Sequence, residues 1–342
     1  MRKKILLIFI SLIMMVPIFS TGSKELVIGC SVYKYEDPFI SGTRAVISET
    51  AKNKASVIFA DGLNSQTVQN NSIDNFFNQK VSALIINPVD RASAGSIIRK
   101  AKELNIPTVF FNREPFVEDL KIWNDKTYYV GSIAKDSGLM QAKIIADYWL
   151  SHPEADINGD GLLQYVIFRG EAGNQDTELR SEYCLQGLTK RGIKCDKVAS
   201  STSYWNRAKA QNAMTSILIS KGSSIEVVIA NNDEMALGAI DALKVNGYFT
   251  NDKFMPVVGV DATASALQAI ENGTLLGTVL NDSHNQGRAI FNLAYELAKG
   301  NIPTSKSIGY TISEGRYVWI PYKIVDKSNF REYIDKTETI GL

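Results

Sequence analysis

Tyr165-Val166-Ile167-Phe168 is an unbroken apolar run that leads almost at once into Gly170-Glu171-Ala172-Gly173-Asn174-Gln175-Asp176, with Arg180 following. A strand that ends in a Gly-rich polar loop opening a helix is the mark of an α/β protein, and ligands collect at such loops. Immediately before the run stands Asp156-Ile157-Asn158-Gly159-Asp160-Gly161-Leu162-Leu163-Gln164. Oxygen-bearing side chains recur there at every second position, and a Gly falls at the sixth. This is the first half of a calcium loop of the EF-hand kind. Asp156, Asn158 and Asp160 supply side-chain oxygens, Gly161 the sharp turn, Leu162 a carbonyl and Gln164 the ninth position. The twelfth position needs a carboxylate and holds Ile167, so the closing acid must come from elsewhere in the chain. Asp/Asn/Gly clusters also serve as ordinary turn chemistry, and the loop alone leaves both readings open.

Outward from this point the chain alternates strand-like and helix-like segments. Strands are expected at Leu26–Val32, Ser56–Ala60, Ala83–Asn87, Thr108–Phe111, Tyr128–Val130, Tyr165–Phe168, Val198–Ser200, Val227–Ala230, Val257–Val260 and Leu276–Leu280. Most are continuous apolar runs, as expected of parallel strands covered on both faces. Helix-length segments such as Arg91–Leu104, Ser137–Leu150, Asp233–Val245 and His284–Lys299 lie between them. So many strand–helix units exceed one sheet of ordinary size, which predicts two doubly wound α/β lobes dividing near Ser132. Polar residues stand at the carboxyl ends of the strands: Asp37, Asn112, Asn231-Asn232-Asp233, Asp261 and Asn281-Asp282. Each taken singly reads equally as a helix N-cap. Together they outline a crevice of carboxylates and amides without a nucleophile.

Arg2, Lys3 and Lys4 precede an apolar run from Ile5 to Phe19 and then Ser20-Thr21-Gly22-Ser23. A basic start, about 15 apolar residues and a small-residue region describe a secretory signal, placed at residues 1–22. The run is shorter than the ~20 residues of a spanning helix, although an uncleaved anchor is the alternative. No Cys stands near the cleavage region, so lipid attachment through a processed cysteine is not expected. Without those three basic residues the net charge falls from +1 to −2. A near-neutral mixed surface argues against nucleic acid or an anionic membrane face as the ligand. Of the three cysteines, Cys30 lies in a strand and reads as a buried thiol, while Cys184 and Cys195 could approach across a turn.

His152 and His284 are the two histidines of the chain, and no HExxH, GxSxG, P-loop or GxGxxG motif is present. A carbohydrate-active enzyme built on Asp37 with Asp176 or Asp261 stays open as a rival, because nothing in the sequence sets the separation of those acids.

Four stretches carry a resemblance: Val32-Tyr33-Lys34-Tyr35-Glu36-Asp37-Pro38-Phe39, Val109-Phe110-Phe111-Asn112-Arg113-Glu114-Pro115, the Asp156 loop, and Glu226-Val227-Val228-Ile229-Ala230-Asn231-Asn232-Asp233. Over essentially the whole mature chain the protein resembles the periplasmic galactose/glucose-binding proteins, the sugar-binding class of type I periplasmic binding proteins. The resemblance implies two Rossmann-like lobes with parallel sheets joined by a three-segment hinge. The first would hold residues 24–132 and 282–319, the second 133–281 and 320–342. It places an aromatic sandwich on Phe39 and Trp205, which suits the apolar faces of a pyranose. It places rim contacts on Asp37, Asn112, Asn174, Asp176, Arg180, Asn232, Asp261 and Asn281. Asn174 stands where the family usually has His, and Gln175 where it has Pro. The closing acid of the calcium loop falls on Glu226, making a structural ion held by Asp156, Asn158, Asp160, Leu162, Gln164 and Glu226. The function so implied is non-enzymatic. A monomeric periplasmic protein captures glucose or galactose, delivers it to the permease of an ABC transporter and can signal to a chemoreceptor. Sugar-responsive repressors share the fold but carry a DNA-binding helix pair where this chain has its export signal.

Overall fold

The structure, a computed structural model, describes residues 25–250 and 253–338. The signal reading of residues 1–22 and the last residues of the chain lie outside that range. Twelve strands follow one another as β1 (Val27–Val32), β2 (Ser56–Asp61), β3 (Ala83–Ile86), β4 (Thr108–Phe111), β5 (Thr127–Gly131), β6 (Leu162–Arg169), β7 (Lys194–Thr202), β8 (Val227–Ala230), β9 (Val257–Val258), β10 (Gly277–Leu280), β11 (Tyr317–Trp319) and β12 (Lys323–Asp326). They form two six-stranded sheets, ordered β11-β5-β4-β3-β1-β2 and β12-β10-β9-β8-β6-β7. All pairings are parallel except β10 with β12. This is the pair of doubly wound lobes that the alternation predicts.

The burial patterns explain which strands are easy to read. β3, β4, β5 and β8 are buried along their whole length, and each is apolar throughout apart from the opening Thr108 of β4 and Thr127 of β5. β2 and β7 close the open edges of the two sheets and are partly exposed. In β7 the charged Lys194, Asp196 and Lys197 interrupt the apolar signal, so the strand is longer than the expected Val198–Ser200. Charges on an edge strand discourage pairing with another chain. Arg91–Ser93, expected as the start of a helix, is a turn of 3-10 helix in which Ser93 Oγ donates to the carbonyl of Asp90, and the α-helix runs Ala94–Glu103.

The chain passes between the sheets three times. After β5 the helix Ala134–Ser151 packs beneath β6 and β8, its Ala142, Ile144 and Ile145 against Leu163, Tyr165 and Val227. After β10 the helix Ser283–Ala298 returns to the first lobe, where Ala289, Ile290 and Phe291 join Ile28, Ile40 and Ile47 in one core. The third passage lies between β11 and β12, which add to β5 and β10 respectively. These two strands are absent from the sequence reading: β11 has three residues, and the apolar signal of β12 is cut to Ile324-Val325 by the flanking Lys323 and Asp326. Cys30, Cys184 and Cys195 are all unbridged thiols. Burial pushes each of them above its ordinary pKa, so they stay protonated.

Candidate functional site: a cavity between the lobes

The carboxyl ends of β1, β4, β6, β7, β8 and β10 face one another across the gap between the lobes. Asp37, Phe39, Asn112, Asn174, Asp176, Arg180, Trp205, Asn232, Asp261 and Asn281 all line a single inner cavity there, joined by Tyr33, Ile40 and Arg113. The cavity measures about 30 Å³ and shares Asn112, Arg113, Asn174 and Asp176 with an outer chamber of about 420 Å³. The inner space has room for about two waters, so a larger ligand enters only when the lobes part.

The capping and lining readings of the polar residues coincide. Asp37 caps the helix Pro38–Ala51 by accepting from Ile40 N at 3.0 Å, and its other oxygen accepts from the Tyr33 hydroxyl at 2.5 Å. Asn174 caps the helix Gln175–Lys190, and Asn232 caps Asp233–Val245. An amide caps with its oxygen and keeps its NH2 as a donor for a ligand. A position at the start of a helix can therefore serve both purposes.

Buried amides of matching placement hold the walls in each lobe. After β3, Asn87 accepts from Tyr33 N at 3.2 Å and donates to Asn112 Oδ1 at 3.0 Å. After β8, Asn231 accepts from Gly170 N at 3.2 Å and exchanges hydrogen bonds with Ser181. Asn281 is held by Gln286 at 2.7 Å and by Ser132 at 3.4 Å, both on segments that pass between the lobes. None of Tyr33, Arg113 or Asn87 receives a role from the sequence, while Asn231, expected in the crevice, serves instead to hold its wall. Tyr33 and Arg113 lie within two residues or fewer of strand ends, which is the one signal that could have marked them.

Arg180 dominates the electrostatics of the second lobe. It is 3% exposed, with Nη1 donating to the Asn231 carbonyl at 2.7 Å and Nη2 to Asp176 at 3.0 Å and Tyr322 at 3.2 Å. Burial works to lower its pKa, but Tyr322, Asp176 and Asp261 around it hold the proton more firmly than usual. Burial also raises Asp261, against the pull of Arg180 and with repulsion from Asp233 and Asp37 behind it. Asp233, enclosed beneath the cavity, accepts from Thr278 Oγ1 at 2.6 Å and Thr263 N at 2.8 Å. Burial lifts it to about 7, partly offset by those two donors.

The two aromatic walls come from different lobes, Phe39 from the first turn of Pro38–Ala51 and Trp205 from the turn after β7. Tyr204 and Trp205 both have left-handed backbone, with φ of 55° and 60°. Two such residues in succession are costly and persist only where the surroundings demand them. Here they swing the indole over Gly170.

The Asp156 loop lies at the start of β6, at the opposite end of that strand from the cavity. Its acids are turned onto its own backbone: Asp156 accepts from Gly159 N and Gly161 N, Asp160 from Leu162 N, and Asn158 from Asp160 N. Glu226, 62 residues beyond Gln164, reaches the loop and accepts from Ile157 N at 2.8 Å and Gln164 N at 2.9 Å. Glu226 is raised by burial, despite those two donors, and by the charges of Asp156 and Asp160. Gln164 Oε1 is buried without a partner. Among the described residues no three His, Cys, Asp or Glu side chains are gathered tightly enough to hold an ion. The donor set is instead mixed, made of carboxylates, amides and a carbonyl. An all-oxygen set of this kind, with the orphaned Gln164 Oε1, has the donor chemistry a hard cation takes.

Comparison with known proteins agrees with this architecture. The model of the periplasmic binding protein domain matches residues 28–302. The D-galactose/methyl-galactoside binding periplasmic protein MglB of Haemophilus influenzae is 41% identical over 310 residues, covering 90% of this chain and 91% of that protein. The ribose import binding protein RbsB of Bacillus subtilis is 27% identical over 87% of this chain and 88% of its own length. A solved ABC transporter solute binding protein from Bacillus halodurans with bound myo-inositol superposes with a TM-score of 0.77 at 30% identity, over 92% of this chain and 100% of that one.

Proposed function

The chain belongs to the periplasmic binding protein family, and from that premise we propose that it captures a hexose, glucose or galactose, between its lobes for an ABC importer. The observation that carries this reading is the composition of the inner wall: aromatic side chains from both lobes, Phe39 and Trp205 among them, with carboxylates, amides and Arg180 around them. A pyranose has apolar C–H faces and a rim of hydroxyls, so rings take the faces and charged or amide groups the rim. Hydrogen bonds to the charged groups contribute about 1.5–3 kcal/mol each. A buried group left unpaired by the wrong sugar costs a similar amount, and selectivity arises from that loss. The likeness to a galactose/methyl-galactoside binding protein supports hexose over ribose, since its identity exceeds that of the ribose-binding relative.

Binding contacts come from both lobes and exist together only when these are shut, so a ligand held between them favours the closed form. The closed form of the exported monomer is what the importer's membrane subunits read, and a chemoreceptor is a second reader of the same surface. The Asp156 loop with Glu226 holds a calcium ion that braces the second lobe away from the ligand.

Calorimetry of the mature chain against glucose, galactose, ribose, xylose and myo-inositol tests the assignment. The expected result is tightest binding to one or both hexoses, and tighter binding to ribose or inositol would reassign the protein within its family. Recovery of the bound sugar chemically unchanged after prolonged incubation separates capture from hydrolysis.

A further inference from the structure

We propose that Arg113 is a positioning residue that couples closure of the lobes to the cavity carboxylate Asp37. The inference rests on the sugar-capture reading for its ligand and on five residues for its geometry. Arg113 follows β4 in the first lobe, and Glu171 follows β6 in the second. Arg113 Nη2 donates to Glu171 Oε2 at 2.8 Å across the gap, while Nη1 donates to the Val89 carbonyl of its own lobe at 2.6 Å. The face of the guanidinium lies 3.9 Å from the centre of the Tyr33 ring. The Tyr33 hydroxyl in turn donates to Asp37 Oδ2 at 2.5 Å. Burial, with the nearby Asp37 charge, holds the Tyr33 phenol well above its ordinary pKa, so it remains a donor.

The pair is well shielded, with side-chain exposures of 10% for Arg113 and 20% for Glu171. Shielded charges are weakly screened by salt, unlike the exposed pairs elsewhere on the surface. A second strap lies beside it, where Gln175 Nε2 donates to Glu114 Oε2 at 2.9 Å. Both straps must break for the lobes to part. Val89 and Tyr33 keep the Arg113 arm in place when they do, so only Glu171 moves away and little side-chain freedom is lost on reclosing. Losing the guanidinium frees the Tyr33 ring as well, and with it the hold on Asp37. The effect therefore falls on how long a ligand stays rather than on how fast it arrives.

Stopped-flow tryptophan fluorescence with glucose on the parent, Arg113→Met, Glu171→Gln and the double variant reads this directly. The expected result is release about tenfold faster in Glu171→Gln and faster still in Arg113→Met, with association little changed and the double variant no faster than Arg113→Met. Tyr33→Phe, with the ion pair intact, is expected to speed release as well. Release within about twofold of the parent in both single variants, or a double-variant effect equal to the product of the singles, overturns the coupling. Should the parent bind no hexose by calorimetry, the sugar reading fails by itself. The strap is then read by small-angle scattering of the ligand-free protein: a larger radius of gyration in Arg113→Met and Glu171→Gln supports it, and equal radii overturn it.

Discussion

The indole of Trp205 lies directly on Gly170, so close that a Cβ added there would stand 2.0 Å from Cζ2 and 2.2 Å from Cε2 of the ring. The same Cβ would meet Thr177 Oγ1 at 2.4 Å. Gly170 is thus the floor on which an aromatic wall of the cavity rests, although it does not itself line the cavity.

Gly170→Ala is expected to displace the indole and weaken hexose binding by at least about tenfold while leaving the fold intact. Calorimetry beside a far-ultraviolet circular dichroism spectrum checks this. Parent-like affinity in the alanine variant would show that the wall does not depend on its floor.

Removing the wall itself should cost more. Trp205→Ala is expected to lose on the order of 2 kcal/mol of binding free energy, about thirtyfold in Kd, as large buried aromatic anchors do. Titration with glucose gives the value, and an unchanged Kd would remove Trp205 from the site.

The acid beneath the cavity sets a pH dependence. Asp233 is lifted from 3.8 to about 7 in the folded chain, so between those values the folded state binds a proton that the unfolded state has released. Its contribution to stability is greatest below about pH 4 and declines as pH rises toward 7. Asp233→Asn mimics the protonated form and should flatten this part of the pH–Tm profile. The same slope in the variant would point to Asp261 instead.

The Asp156 loop yields a prediction that needs no sugar. Adding calcium to chelator-treated protein is expected to raise Tm, and saturation at 100 times Kd corresponds to about 2.7 kcal/mol. Glu226→Gln should abolish the response. Identical melting with calcium and with chelator would reduce the loop to turn chemistry.

How much of this was legible depends on where each signal resides. β8 and its exit, Val227 to Asp233, could be read from a few consecutive residues, because a strand buried on both faces has no polar position. β11 and β12 could not, since each is an addition to a strand almost 190 or 45 residues earlier, β11 is three residues long and β12 is bounded by the charged Lys323 and Asp326. The cap positions Asp37, Asn174 and Asn232 were legible but ambiguous, and the structure shows why: one oxygen caps while the rest of the group faces the cavity. The Arg113–Glu171 pair was beyond reach, because it joins residues 58 apart that lie on different lobes. Nothing local to either residue carries that information.

The placement of β11 and β12 also governs the order of assembly. Residues 317–319 complete one sheet and 323–326 the other, so both lobes wait for the same short stretch, made well after the strands it joins. Until it arrives, β5 and β10 present bare edges, and neither half can mature ahead of its sibling. Any truncation before residue 317 therefore leaves two unfinished halves rather than one finished and one missing.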